Sequence, residues 1–199
     1  MKKIISVLVL FLFFSSASLA NTYSSDPKIF VQELVSDAIN KLSDKNLSVE
    51  EKAAFIENIA IENVDINALS LYTLGELRKS ADKNSLSKFQ QTFEKYFLKS
   101  LTSRLTDYSS NTFEVLNAEK KSANYTIVRS KITNSENQPE IKIDWRIYTK
   151  NPDKPLIRDL IVEGLSLART QKEEFASILN SNNNDINILI NKLEEFVNK

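Results

Sequence analysis

The chain has 199 residues, with 26 Lys and Arg against 26 Asp and Glu, no His, no Cys and two glycines. The absence of His and Cys excludes Ser-His-Asp and Cys-His catalysis, thiol chemistry and His- or thiolate-ligated metals. Only Gly75 and Gly164 are available, so a glycine-rich loop that cradles a phosphate or dinucleotide is excluded too, and the balanced charge lacks the basic surface that nucleic-acid binding calls for.

The N-terminus reads as an export signal. Lys2 and Lys3 precede an almost wholly apolar run, Ile4 to Phe14, and small residues follow, ending Ser18-Leu19-Ala20. The run is about 11 residues long, whereas a bilayer span needs about 20. Cleavage after Ala20 is expected, leaving residues 21–199 as one domain with a real core. Position 21 is Asn, so it cannot be a lipid-modified cysteine. The signal segment holds two of the basic residues and none of the acidic ones, so the mature chain is slightly acidic.

Helical patterns come first. Asp26-Pro27 opens a helix in which Phe30, Leu34, Ala38 and Leu42 recur every four residues. Ser48 to Glu51 form a capping box for a second helix carrying Phe55, Ile56 and Ile59. Asp65 caps a third, through Leu69, Leu71 and Leu74 to about Ala81. Asn84 or Ser85 is expected to cap the strongest helix. There Leu86, Phe89, Phe93, Phe97, Leu101, Leu105 and Tyr108 recur at steps of three or four, flanked by Tyr96 and Leu98. Its length of roughly 36 Å suits one wall of an elongated cavity.

After Ser110 the period changes to two. Residues 112–119, 123–133, 140–149 and 156–163 read as four strands joined by short polar links, an antiparallel meander. Ile141, Ile143, Trp145 and Ile147 share one face, expected to be buried. Lys142, Asp144, Arg146 and Tyr148 share the other, expected to be mostly wet. Helix returns from Ser166 with Leu167, Phe175, Ile178 and Leu179 on its apolar side. The polar run Asn180 to Asn184 breaks it, and Asp185 caps a last helix with Ile188, Leu189, Lys192, Leu193 and Phe196. The fold class is α+β, a sheet burying its apolar face against helices.

The segment Asp159-Leu160-Ile161-Val162-Glu163-Gly164-Leu165-Ser166 resembles the D-V-x-x-E-G-V-S strand-to-helix junction of the MlaC family of periplasmic phospholipid-binding proteins, also called toluene-tolerance proteins. The similarity continues through Arg169, Phe175 to Leu179, Asp185, Leu189, Ile190 and Leu193. Upstream it takes in Asp65-Ile66, Leu74-Gly75, Phe89, Phe93, Tyr96, Leu101 and Tyr108, so it spans roughly Pro27 to Leu193. Two features depart from the family pattern. A Trp usual just before the strand Asp is missing from Lys154 to Arg158, although Trp145 lies one strand earlier. An Asn run stands where the family has Gly after Leu179.

The resemblance implies helices on a twisted four-stranded antiparallel sheet of nuclear transport factor 2 shape, with an apolar cavity between sheet and helices. It implies a diacyl phospholipid as cargo, no cofactor, no metal and no enzymatic activity. It further implies a periplasmic carrier moving lipid between inner and outer membranes and maintaining outer-membrane lipid asymmetry. The partners would be an inner-membrane ABC transporter with an MCE-domain subunit and an outer-membrane lipoprotein–porin complex, both met transiently. The candidate lipid-binding residues are Phe93, Tyr96, Phe97, Leu101, Ile143, Trp145, Ile147, Leu160, Val162, Leu165 and Phe175.

Bland roles stand beside these. The α-helical stripe and the Ile143–Trp145–Ile147 row can be ordinary core, and Trp145 would then need a partner for its N–H. Gly164 supplies a turn conformation closed to other residues, and Ser166 is expected to cap a helix. Arg158 and Asp159 are adjacent in a strand and so are expected on opposite faces, as separate surface or partner contacts. Glu163 is expected to bond backbone near the turn. Lys142 and Arg146 form a solvated face, or meet an acidic partner or a lipid headgroup. The competing function is a protein-interaction module with a filled core. A carboxylate hydrolase would need an acidic pair at catalytic separation, and no such cluster stands out.

Overall fold

Capping decides where the helices start. Asp26 accepts hydrogen bonds from the Lys28 and Ile29 N–H groups and Pro27 follows, opening α1 (Pro27–Ser43). The Ser48–Glu51 capping box is complete and opens α2 (Val49–Asn63). Asp65 accepts from Ala68 N–H at the start of α3 (Ile66–Thr73). That helix ends before Gly75, whose φ of 64° the interior of an α-helix does not accept, and a 3₁₀ turn (Gly75–Lys79) replaces the expected continuation towards Ala81. Asp82, rather than Asn84 or Ser85, caps α4 (Lys83–Leu105), accepting from both of their N–H groups at 3.0 Å. The structure, a computed structural model, describes residues 23–105, 112–133 and 139–199. The expected export signal, Tyr108 and the link Asn134 to Gln138 lie outside the described residues.

Five strands form an open antiparallel sheet in sequence order: β1 (Thr112–Ser122), β2 (Tyr125–Thr133), β3 (Ile141–Tyr148), β4 (Leu156–Val162) and β5 (Leu165–Ser166). The fifth is a two-residue strand where a turn into helix was expected. β4 doubles back on itself through Glu163 and Gly164, both at positive φ (49° and 83°). Glu163 closes this corner as expected of it, donating its own N–H to the Lys142 carbonyl and accepting the Lys142 N–H on its carboxylate. Ser166 caps α5 (Leu167–Asn180), and Asp185 caps α6 (Ile186–Val197). Between them Asn183 and Asn184 take φ of 54° and 57°, and the Asn184 N–H bonds the Leu179 carbonyl at 2.8 Å. Asparagine thus supplies the left-handed helix stop for which glycine is the usual residue.

Two apolar cores result. One face of the sheet, with Val128, Trp145, Ile147 and Ile157, packs on Phe30, Val31 and Leu34 of α1. The other core lies among α3 to α6, built on Phe89, Phe93, Phe175, Leu179, Leu189, Ile190 and Leu193. Val64, at the end of α2, packs against both. Leu167 and Phe196 are exposed, at the outer edges of the faces expected to bury them.

The second face of the sheet is wet in part, with Lys142 exposed and Arg146 42% exposed, and covered in part. α3, the 3₁₀ turn and the start of α5 stand over it, because two ties hold α3 to β4. The Asp65 N–H donates to the Ile157 carbonyl at 2.9 Å, and Val64 bridges Ile157.

Candidate functional site

A cavity of about 850 Å³ lies between that second sheet face and α3. Ala68, Leu69, Leu71 and Tyr72 form its helical wall, Ile127 and Ile161 part of its floor, and Ala168 of α5 one end. The remaining lining is charged or hydroxylic: Arg78 from the 3₁₀ turn, Lys121, Ser122 and Tyr125 from the β1–β2 hairpin, and Arg129, Asp144, Arg146 and Arg158 from β2, β3 and β4. The cavity is therefore amphipathic. Its side chains at Lys121 and Arg146 are 48% and 42% exposed, so water reaches one side of it.

The strand registers explain this floor. Ile127 pairs with Arg146, Arg129 with Asp144, and Asp144 with Ile161, so isoleucines and charges alternate over one surface. Between Arg146 and Ile147 the register slips by one residue, and Arg158 is the extra residue on β4. This bulge overturns the expectation that Arg158 and Asp159 point to opposite faces, since both reach partners on the cavity side.

Arg158 donates through Nε and Nη2 to Asp65 at 2.8 and 2.7 Å and through Nη1 to the Tyr125 hydroxyl at 2.6 Å, with its guanidinium 3.4 Å from the Tyr148 ring centroid. Burial works against its charge, but the hydrogen bonds to Tyr125 and Asp65 outweigh it and raise its pKa. Asp159 is buried; it accepts the Ser166 hydroxyl at 2.6 Å and the Ala168 N–H at 3.0 Å, and faces Arg146 at 3.3 Å. These are positioning contacts that hold α3 and α5 against the sheet.

The eleven residues singled out from the sequence lie elsewhere. Phe93, Tyr96, Phe97 and Phe175 pack in the helical core, with Phe93 edge-on to Phe175 at 6.2 Å. Ile143, Trp145, Ile147 and Leu160 pack against α1 on the opposite face of the sheet from the cavity. The Trp145 indole donates to the buried Ser130 hydroxyl at 2.9 Å, which supplies the partner its N–H needs. Leu101 is half-buried in the last turn of α4, Val162 is half-buried beside Leu165, and Leu165 is 69% exposed. None of the eleven lines the 850 Å³ cavity.

Sequence reasoning passed over Leu69, Leu71, Tyr72, Ile127 and Ile161 as cavity walls. The signal for them was α3 itself, eight residues carrying Ile66, Leu69, Leu71 and Tyr72 on more sides than one core can use. No described helix is long and apolar enough to cross a membrane, and the described residues hold no cluster of three or more acidic side chains suited to a metal.

Comparison with known proteins places the chain. The family model described as MlaC protein matches residues 32–195. No curated protein matches the sequence. Among solved structures, a phospholipid-binding protein from Ralstonia solanacearum, in complex with a phospholipid, superposes with a TM-score of 0.68 at 18% identity, covering 84% of this chain and 94% of that one. The fold is shared.

Proposed function

The chain belongs to the MlaC family, and on that premise we propose that it is a phospholipid-binding carrier rather than an enzyme, exported to the periplasm after cleavage at Ala20. The observation that carries this reading is the cavity between the sheet and α3, about 850 Å³ and amphipathic, with Leu69, Leu71, Ile127 and Ile161 among its lining, in a chain whose structural neighbour was solved with a phospholipid. That volume is toward the top of the roughly 300–1,000 Å³ range of ligand pockets.

The physical case needs no reactive group. Two acyl chains hold about 30 CH₂ groups, each worth roughly 0.8 kcal/mol on leaving water. A lipid crosses an aqueous gap very slowly unless its tails are shielded. A carrier supplies an apolar surface comparable to a bilayer, so that loading and release stay near balance. In this reading Leu69, Leu71, Ile127 and Ile161 shield the tails, and the two packed cores hold the walls. The role within the cell would be exchange with an inner-membrane ABC transporter bearing an MCE-domain subunit and with an outer-membrane lipoprotein–porin complex, maintaining outer-membrane lipid asymmetry.

The test is purification of residues 21–199 from a bacterial periplasm without detergent, followed by solvent extraction and mass spectrometry. Near-stoichiometric phospholipid is expected. A protein that is empty and takes up no lipid from liposomes overturns the reading and leaves a partner-binding module.

A further inference from the structure

We propose that the cavity grips the lipid phosphate between Arg78 and Arg146 and thereby selects lipids with a net negative headgroup over zwitterionic ones. The inference rests on the carrier reading above and adds the headgroup class. It starts from an imbalance: five lining side chains are cationic (Arg78, Lys121, Arg129, Arg146 and Arg158) and only Asp144 is anionic. The whole chain has as many acidic as basic residues, so composition does not account for this concentration.

Two of the five cations have all three nitrogens engaged, and a third has its charge closely paired. Arg158 uses three nitrogens on Asp65 and Tyr125. Arg129 uses Nη2 on Glu119 at 2.8 Å and Nη1 on Asn117 at 3.2 Å, with Nε facing Asp144 at 3.9 Å. Lys121 is paired to Glu119 at 2.5 Å. The other two differ. Arg146 has one contact, Nη1 at 3.3 Å from an Asp159 oxygen that already accepts the Ser166 hydroxyl. Arg78 donates Nη1 to the Gly75 carbonyl at 2.5 Å, and Glu76 beside it in the 3₁₀ turn is paired with Lys79 at 2.6 Å. Each guanidinium has five N–H donors, so both keep several with no acceptor among the described residues.

Both line the same cavity, Arg146 from β3 and Arg78 from the 3₁₀ turn that follows α3. A phosphodiester presents paired oxygens that suit the planar guanidinium fork. The apolar wall beside them lowers the local dielectric and strengthens the contact. A zwitterionic headgroup brings an ammonium into the same cationic surroundings, whereas a glycerol headgroup brings no opposing charge. Selectivity is the difference between the two.

The test is exchange with vesicles of equal parts phosphatidylglycerol and phosphatidylethanolamine, then re-isolation of the protein and mass-spectrometric measurement of the bound ratio. The wild type is expected to carry roughly a tenfold excess of the anionic lipid, the scale of the like-charge repulsion that the ammonium of the zwitterionic lipid meets. In Arg78→Gln/Arg146→Gln the ratio falls to that of the vesicle, and Arg78→Lys/Arg146→Lys keeps a preference. Should the double Gln variant fail to fold, Arg146→Gln alone, at a side chain 42% exposed, is expected to reduce the excess severalfold. A wild-type ratio equal to the vesicle's, or an excess surviving both Gln changes, overturns the proposal while leaving the carrier intact. Uptake of neither lipid overturns the carrier reading itself. If inorganic phosphate then binds saturably and the double variant loses that binding, the pair serves a free phosphate and lipid selection is overturned as well.

Discussion

Arg158 and Asp65, 93 residues apart, meet through two nitrogens at 2.7 and 2.8 Å from one carboxylate oxygen. The other Asp65 oxygen caps α3 through the Ala68 N–H. One side chain therefore both starts the cavity's roof helix and ties it to the sheet floor. Asp65→Asn keeps the cap and removes the ion pair, whereas Asp65→Ala removes both. The Asn variant is expected to lose about 2 kcal/mol, because both partners are mostly buried and Arg158 is left without its anion, and the Ala variant about 1 kcal/mol more. Urea unfolding of the two variants measures the separation. Equal losses would mean that the cap contributes nothing.

Ser130 receives the Trp145 indole N–H at 2.9 Å and passes its own hydroxyl to the Ile143 carbonyl at 3.0 Å. Ser130 is 1% exposed, so Ser130→Ala strands a buried N–H with no water to replace the partner. A cost of about 1–3 kcal/mol is expected in urea unfolding. Trp145 is the only tryptophan, so its emission reports the same site directly.

Gly164 sits at φ 83°, and a Cβ built there meets nothing within 4 Å. Gly164→Ala is therefore a test of backbone strain without steric clash. The expected loss is about 1–2 kcal/mol, with the β4–β5 corner otherwise intact. A neutral result would show that the corner adapts its backbone.

Tyr96 is half-buried beside Phe93, Phe175 and Phe196 and donates its hydroxyl to the Gln171 side chain at 3.0 Å. Burial, helped by the charge of Glu174, raises its pKa above the ordinary 10.0. The folded state therefore holds the phenolic proton more tightly than the unfolded chain. This contribution is fully present below about pH 10 and is lost as pH rises through the folded-state value. Tyr96→Phe should flatten the alkaline limb of the stability profile; an unchanged limb contradicts the assignment.

The helix caps, the strand spans and the two periodicities were legible because each depends on neighbouring residues. Ser48–Glu51, Ser166 and Asp185 cap where local chemistry says they should. The cavity was not legible, for two reasons. A 3.6-residue stripe such as Phe93–Phe97 states that one helix face is buried, and packing on α5 and α6 satisfies it as well as a ligand would. The alternation Lys142–Asp144–Arg146–Tyr148 states that a strand face is polar, and it says nothing of a helix arriving over that face from 70 residues earlier. The bulge at Arg158 shifts register by one residue, which no period-two reading contains. Asn183 and Asn184 take the left-handed backbone that glycine usually supplies after a helix, which the polar run alone did not specify.

The most direct test of the carrier account compares the native mass spectra of the wild type and Ala68→Trp, prepared side by side without detergent. Ala68 is half-buried in the cavity's helical wall, and an indole there occupies the space assigned to the acyl chains. The account predicts one phospholipid on the wild type and none on the variant, with both giving the same far-ultraviolet circular dichroism. A folded Ala68→Trp protein that carries as much phospholipid as the wild type would place the tails outside this cavity and contradict it.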